Sequence, residues 1–578
     1  MRNKKHVAIL GGGPSGLFMF KRLVESGRTD LEITIFEQKD FLGAGMPYSK
    51  AGANDEHITN VSSNEIPLLV TSITDWIKSV PKDTLDKFNI DPKRFNKYKV
   101  LPRLLFGQYL TAQFRLLEKQ AREKGIIYHV QYHSQITDII DYPEKEIIEV
   151  EVNGEELFKF HHLAICIGHQ WPLKHENNIP GYFDSPYPPE KLAMVCNYPV
   201  ALKGSSLTAV DAIRTLARHN GTFEKNQQGK VCYQLSAQSE RFRLVMHTRN
   251  GMLPAVRFHL EDSHLTNRSV LDSEEIKAHI AGNNGFLSLD YMFEQDFKAP
   301  IREKEPAFFE QIKDMSLEQF VAAMLQLREQ LDPFQLLQAE YAEAEKSIQR
   351  KESVYWKEML GVLSFTLNYP AKYLSAEDML RLQQTLMPLI SIVIAYIPQS
   401  SCEEMLALHH AGVLHLISVG EESKVEPLTE GGVIYHYTNE NGKAQSVQFD
   451  TYIDCIGQPQ LDFQDFPFKS LLRNKTVSSA RIKFSSPLAG EKAIADGKEV
   501  VMFNDDYYLN VSGLAINDNF QVIDDYGAFN DRIYMMAVPY ISGYNPDYSG
   551  LDFSEAASAA IANRMLDEEK LTTCLPYP

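Results

Sequence analysis

The sequence predicts an α/β protein made of two copies of one unit, with a helical insertion in the second copy. Three observations carry this. A strand, glycine turn and helix pattern occurs twice, at "HVAILGGGPSGLFMFKRLVESG" and at "YPVALKGSSLTAVDAIRTLARHNG". Two apolar runs stop at the same tripeptide, "LAICIG" and "YIDCIG", and each follows an alternating stretch with Asn-Gly in its turn. Residues 256–400, inside the second copy, carry apolar residues at helical spacing.

At 578 residues the chain exceeds what one core fills, so several domains are expected. Hydrophobic content of 44% and charged content of 23% are ordinary for a globular protein. A formal net charge of −18 argues against nucleic acid or an anionic membrane as the main partner, because both repel an acidic surface. The cysteines Cys166, Cys196, Cys232, Cys402, Cys455 and Cys574 show no CxxC pair and no Cys/His ligand spacing. That pattern predicts reduced thiols in a cytoplasmic protein and no metal site. The start, "MRNKKHVAILGGGPSG", meets glycines and proline where a secretory signal would continue its apolar core. The most apolar segment, "LMPLISIVIAYIP", is shorter than the ~20 residues of a membrane span and reads as a buried strand or core helix.

In the first unit "HVAIL" is a strand and "LFMFKRLVESG" a helix. Gly11, Gly13 and Gly16 between them fill a G-x-G-x-x-G frame, and Glu37 closes the next strand, "LEITIFEQ". This context is that of a Rossmann-like dinucleotide-binding domain. Gly11 permits the tight turn, Gly13 lets backbone approach a pyrophosphate, and Gly16 lets helix pack on strand. The helix start offers unpaired N–H groups and partial positive charge to phosphates. Glu37 is placed to accept hydrogen bonds from a ribose diol. A second glycine-rich loop, "GAGMPYS", and a polar stretch, "HITNVSSNEIP", come next. "RLLFGQYLTAQFRLLEKQAREKG" is predicted as a long helix and "IIYHVQYHSQITDII" as one strand. The Asn153-Gly154 hairpin leads to "LAICIG", where Gly168 would let the chain pass close to a cofactor.

In the second unit Gly204, Ser206 and Ala209 occupy the fingerprint positions. Ser206 puts a Cβ where backbone should approach a pyrophosphate, so a ligand-free copy of the fold stays open as an alternative. The strand "RFRLVMHTRNGMLP" ends near Arg249, which can pair with a 2′-phosphate or make a surface salt bridge. "GVLHLISVG", the Asn441-Gly442 hairpin and "TYIDCIG" complete the unit. The insertion contains "FQLLQAEYAEAEKSIQRKESVYWKEMLGVL", expected to be helical. The chain then runs "DRIYMMAVPYISGYNPDYSGLDFSEAASAAIANRML", a strand, a polar loop and a helix.

The ordered set GGGPSG, Glu37, GAGMPYS, "RLLFGQYL" and "CIGH" resembles the FAD-NAD(P)-binding family of flavoproteins with two dinucleotide-binding domains. It is similar in layout to the N-hydroxylating monooxygenases of ornithine, lysine and aspartate. Cys166 and Ile167 replace the Ala and Thr of the family's A-T-G-H pattern. The resemblance implies FAD on the first unit and NADPH, or NADH, on the second. It implies FAD contacts at Gly11, Gly13, Pro14, Ser15, Gly16, Glu37, Gln38, Gly45, Met46, Asn60, Val61, Arg103, Ile136 and Gly168. The returning helix would add Gly550, Leu551 and Asp552, and Gly204, Ser205, Ser206 and Arg249 would serve the nicotinamide dinucleotide. Asn60 is the main catalytic candidate, its alternative an ordinary turn Asn, and Arg103 and His169 are weaker ones. The expected layout is 1–185 for the first part of the FAD-binding domain, 186–255 and 401–475 for the NAD(P)-binding domain, 256–400 for the insertion, and 476–578 for the return.

Such a protein passes electrons from NAD(P)H through FAD to an acceptor. With no cysteine pair near either motif and no iron–sulfur ligand set, the first expectation is monooxygenation through a flavin hydroperoxide. The substrates would be O2 and a small amine or amino acid. A reductase serving a partner or acceptor, and a flavin-bound redox sensor or scaffold, are the alternatives. Homo-oligomerisation stays open.

Overall fold

Each glycine turn sits at the end of a buried strand, and each of those strands lies inside its own sheet, the second all parallel and the first parallel but for its edge strand Gln521–Ile523. A computed structural model describes residues 4–168, 172–261, 271–458, 460–547 and 550–566. In the six-stranded first sheet, Lys5–Leu10 pairs in parallel with Leu31–Phe36 on one side and His162–Ile165 on the other. Ile127–Gln131 extends one side, and Phe529–Met535 returns from the far end of the chain to extend the other. Val7, Ala8, Ile9 and Leu10 are fully buried, as a strand covered on both faces requires.

The second sheet has five parallel strands around Pro199–Lys203. Arg243–Thr248 and Leu414–Ser418 lie on one side, and Thr451–Asp454 and Tyr182–Phe183 on the other. Tyr182–Phe183 belongs to this sheet, so the second unit begins just before the expected boundary at 185.

The repeated tripeptide is the same joint in both sheets. The Cys166 N–H donates to the Leu10 carbonyl at 2.8 Å, and the Cys455 N–H donates to the Lys203 carbonyl at 2.9 Å. Gly11 and Gly204 then turn with φ of +110° and +109°. A Cβ on Gly11 would stand 2.6 Å from the Cys166 carbonyl oxygen, and one on Gly204 would stand 3.0 Å from that of Cys455. Both positions therefore need glycine.

The insertion is helical from Ser273–Gly282 onward to Met387–Val393. Asp272 and Ser316 start their helices with capping boxes to Glu275 and Gln319. The stretch expected to be helical forms two helices, Pro333–Arg350 and Tyr355–Thr366. The break comes at Lys351, which takes φ +58°, while the Ser347 hydroxyl donates to the Glu352 carbonyl at 2.6 Å. The ends of the insertion are tied together: Ala255 N–H donates to Ile392 O, and Arg257 N–H to Ile397 O, both at 2.9 Å.

Two further differences concern strands. "IIYHVQYHSQITDII" is two strands: Ile127–Gln131 stays in the first sheet, while Ile136–Tyr142 opens a three-stranded antiparallel sheet. Its hairpin turns at Asn153 and Gly154 with φ +53° and +79°, the left-handed pair that Asn-Gly favours. Before the final return, Ser479–Lys483, Val500–Phe503 and Asp506–Leu514 form another antiparallel sheet. The closing helix Leu551–Leu566 packs beside Pro14–Glu25, with Glu555 paired to Lys21 at 3.1 Å and to Arg22. "LMPLISIVIAYIP" contains the helix Met387–Val393 with Leu389, Ile390 and Val393 buried. Among the described residues no helix is long and apolar enough to cross a membrane.

Candidate functional site

The strand ends, the glycine loops and the insertion line a cavity of about 990 Å³. Its walls gather residues from remote parts of the chain. Gly11, Gly13, Pro14, Ser15, Glu37, Gln38, Gly45, Met46, Asn60, Val61, Ile136, Gly168, Gly550, Leu551 and Asp552 all line it. These were singled out from sequence and the structure brings them together.

Local structure explains the shape of this wall. The helix Pro14–Glu25 begins with Pro at its first turn, no side-chain cap and no acidic residue. Its first N–H groups therefore face the cavity without an internal partner. The closing helix starts at the same place, with Ser15 Oγ and Ser554 Oγ 3.2 Å apart. The two glycine loops press together: a Cβ on Gly13 would lie 3.4 Å from Gly45 Cα. Gly16 stands behind them, where a Cβ would be 2.0 Å from the Gly11 carbonyl oxygen. Its part is helix-on-strand packing, not cavity lining. Glu37 accepts one backbone N–H on each carboxylate oxygen, Gly12 on Oε2 and Lys39 on Oε1, both at 2.9 Å. That fixes the carboxylate at the strand end.

Asn60 lies on the strand Ile58–Ser62 and is held from the second unit. Buried Arg257 donates to the Asn60 carbonyl and to the Glu65 carboxylate, and to Ser62 Oγ at 2.7 Å. Glu65 also accepts the Ser62 N–H at 2.7 Å. Arg257 was not identified from sequence. Its partners are almost two hundred residues away, and no local pattern marks it. The same holds for Gly361, Phe365, Met387, Ile390, Ile394 and Tyr396, which make the insertion the roof of the cavity.

Arg103 is placed elsewhere. Its guanidinium reaches Asp211 on the second unit's helix Leu207–Asn220 at 2.5 Å, and Tyr187 donates to the same Asp211 oxygen at 2.7 Å. Burial works against the Asp211 carboxylate, yet Arg103 holds it below the usual carboxylate range. His57 adds contacts at 3.2 Å to the Asp211 carbonyl and 3.1 Å to Thr215. Arg103 thus joins the two nucleotide-binding units and does not line the cavity. His169 lies outside the described residues.

Of the second motif, Gly204, Ser205, Ser206 and Arg249 stand away from this cavity, but Leu207, the first residue of their helix, lines it. Ser205 donates to the Met252 carbonyl at 2.8 Å. Arg249 is exposed at the end of its strand.

The cavity lining carries four carboxylates, Glu37, Glu65, Asp547 and Asp552. Cys166 lines it, with its thiol pushed up by burial and Met536 Sδ at 3.9 Å. Among the described residues no second cysteine lines the cavity, and no group of three or more His, Cys, Asp or Glu could hold a metal ion. Burial, with Glu65 and Glu555 adding to it, pushes the Asp552 carboxyl up to about 7. Asp552 Oδ1 has no hydrogen-bond partner among the described residues.

Residues 8–170 match the FAD-NAD(P)-binding family, and residues 272–394 match the YdhS-like middle domain. The uncharacterized protein YdhS of Escherichia coli (strain K12) is 29% identical over 474 residues, which are 81% of this chain and 86% of that one. Among solved structures, DfoA, a cadaverine monooxygenase from Erwinia amylovora, gives a TM-score of 0.46 at 12% identity, covering 99% of this chain and 98% of the other. The bacillithiol disulfide reductase Bdr (YpdA) from Staphylococcus aureus gives 0.41 at 10% identity, covering 98% of this chain and 100% of the other. One is a monooxygenase and one a reductase, and neither likeness bears on activity. The family match and the two parallel sheets give the chain the fold of an FAD- and NAD(P)-binding flavoprotein oxidoreductase.

Proposed function

We propose that this chain, whose residues 8–170 match the FAD-NAD(P)-binding family, is an NAD(P)H-dependent monooxygenase that hydroxylates the nitrogen of a small amine or amino acid. The carrying observation is the roof: insertion residues Phe365, Met387 and Tyr396 close over the same cavity that the glycine loops line. Oxygen insertion needs a chamber that excludes water, and an electron-transfer reductase does not. Among the described residues Cys166 is the one cysteine that lines the cavity, which favours this reading over dithiol chemistry.

The residues fit FAD. Gly13 and Gly45 leave room for a pyrophosphate against the uncapped helix start, and Glu37 presents a fixed carboxylate to the adenosine ribose. The closing helix directs its positive end into the cavity at Leu551. FAD, when bound, supplies the electron chemistry between the nicotinamide and O2. The second unit, through Gly204, Ser205, Ser206 and Arg249, holds NAD(P)H. Asn60 holds substrate or oxygen with its amide, and Arg257 fixes the strand that carries it. The balance is one ammonium substrate, one NADPH and one O2 giving one hydroxylamine, one NADP+ and one water.

The test is product analysis with a panel of amines and amino acids. Amine-stimulated NAD(P)H consumption yielding a hydroxylamine is the expected result, and Asn60→Ala should divert it to hydrogen peroxide. Consumption that yields only peroxide, or that requires a protein acceptor, replaces this reading with a reductase. No reaction with NAD(P)H indicates a sensor or scaffold.

A further inference from the structure

We propose that Asp552 is the base that takes a proton from the ammonium form of the substrate; this rests on the amine reading above. An alkylamine is protonated near neutral pH, and its nitrogen has no free lone pair until that proton leaves. The step is R–NH3+ plus the Asp552 carboxylate giving R–NH2 plus the Asp552 carboxylic acid. The same proton is returned when the second oxygen atom of O2 leaves as water, so the residue resets each turnover and no other co-reactant is needed.

Geometry selects Asp552 from the cavity's carboxylates. Glu37 has backbone donors on both oxygens. Glu65 is committed to Arg257 and Ser62. Asp547 accepts the Ser364 hydroxyl at 2.5 Å. Asp552 lines the same cavity, and its Oδ1 is buried without a hydrogen-bond partner among the described residues.

The charges around it set its affinity for a proton. From the loop side comes Glu65, whose charge is balanced by Arg257; from its own helix comes Glu555, balanced by Lys21 and Arg22 on the neighbouring helix. Asp547 and Tyr396 complete the wall toward the insertion. Burial first, then these acids, raise the carboxyl to about 7. A carboxylate so tuned is ionised in a useful fraction at neutral pH; it is a weaker base than a free alkylamine, so the uphill transfer is drawn forward by consumption of the neutral amine in the oxygenation.

The experiment compares wild-type holoenzyme with Asp552→Asn and Asp552→Glu, using the best amine of the panel. For the wild type, kcat/KM should rise through pH 7 and level off. Asp552→Asn must rely on amine that is already neutral, about one part in a thousand at pH 7.4 for an amine titrating near 10.4. Its kcat/KM should therefore go on rising about tenfold per pH unit above pH 7, where the wild type has levelled off, a change of profile that a merely structural defect would not show. Asp552→Glu should retain a plateau, and it keeps the test alive should the Asn variant fold poorly. Infrared difference spectra of the holoenzyme add a readout free of turnover: a protonated carboxyl band fading as pH rises through 7, absent in Asp552→Asn. If the wild type oxidises an amine and the Asn variant has the same pH profile, the assignment of Asp552 falls alone. If no amine is oxidised, the amine reading falls and the base role with it, while the infrared band still reports the protonation of Asp552.

Discussion

Two glycines of one fingerprint should fail in opposite ways, and the difference can be worked out from where an added methyl would go. Gly13 has φ −74°, a conformation alanine adopts freely, and its Cβ would lie 3.4 Å from Gly45 Cα, an ordinary contact. Gly13→Ala should leave apoprotein stability unchanged or raise it by about 0.4–1 kcal/mol through the unfolded chain. The methyl would stand where the pyrophosphate approaches, and overpacking of this kind costs about 1–3 kcal/mol. At 1.4 kcal/mol per tenfold, FAD affinity should fall roughly 5- to 140-fold. Gly16→Ala drives a methyl to within 2.0 Å of the Gly11 carbonyl oxygen, which is backbone and cannot step aside. That variant should destabilise the apoprotein itself by at least about 1–3 kcal/mol. Urea melts of deflavinated protein and FAD titration by fluorescence quenching separate the two. Gly13→Ala binding FAD as tightly as wild type, or melting as early as Gly16→Ala, would refute the assignment of Gly13 to the ligand side and Gly16 to the packing side.

Arg103→Ala should cost about 3–5 kcal/mol in urea melts, because it leaves the buried Asp211 carboxylate without its cation, while FAD affinity stays near wild type; a selective loss of FAD would return Arg103 to the cofactor. Arg249→Ala should weaken NADPH by about 1.5–3 kcal/mol and spare NADH, as read by rapid-mixing flavin reduction, and equal losses would remove Arg249 from the 2′-phosphate. His247 is stacked on Tyr435 at 4.1 Å, and burial pushes it down to about 4. The unfolded imidazole protonates first as pH falls, so its contribution is complete above about 6.5 and is lost on the way down to about 4, roughly 3 kcal/mol in all. His247→Phe should flatten that acid limb in urea melts at pH 7 and 5, and an unchanged limb would show that other groups carry it.

What was legible in the sequence was whatever depends on neighbours in the chain. The two Cys-Ile-Gly stretches identified two matching sheets because each strand end must stop where its glycine turn passes, and that constraint is written locally at Gly11 and Gly204. The Asn-Gly hairpins were legible for the same reason. Arg103 was misplaced because its motif context is shared with residues that do line the cavity, while its partner, Asp211, sits 108 positions away. Arg257 was invisible: one arginine after a strand has no signature, and its meaning comes only from the Asn60 carbonyl and Glu65 it reaches. The break at Lys351 was missed since helical periodicity runs on across it.

The placement of the insertion follows from a geometric problem that the paired fold creates. The first unit's strand ends and glycine loops line one side of the cavity, and of the second motif Leu207 alone reaches it among the described residues, so the opposite side needs another cover. Here the insertion leaves the second unit at Ala255–Arg257 and rejoins it at Ile392–Ile397, so both ends are fixed by the same short run of backbone hydrogen bonds. From that base its helices extend over the first unit's cavity. Arg257 stands at the base and grips the strand that bears Asn60, and Tyr396, beside it in the paired run, lines the chamber. Arg257 therefore holds the wall strand through its guanidinium and the base of the insertion through its backbone N–H to Ile397. The second unit is thereby tied to the strand that bears Asn60.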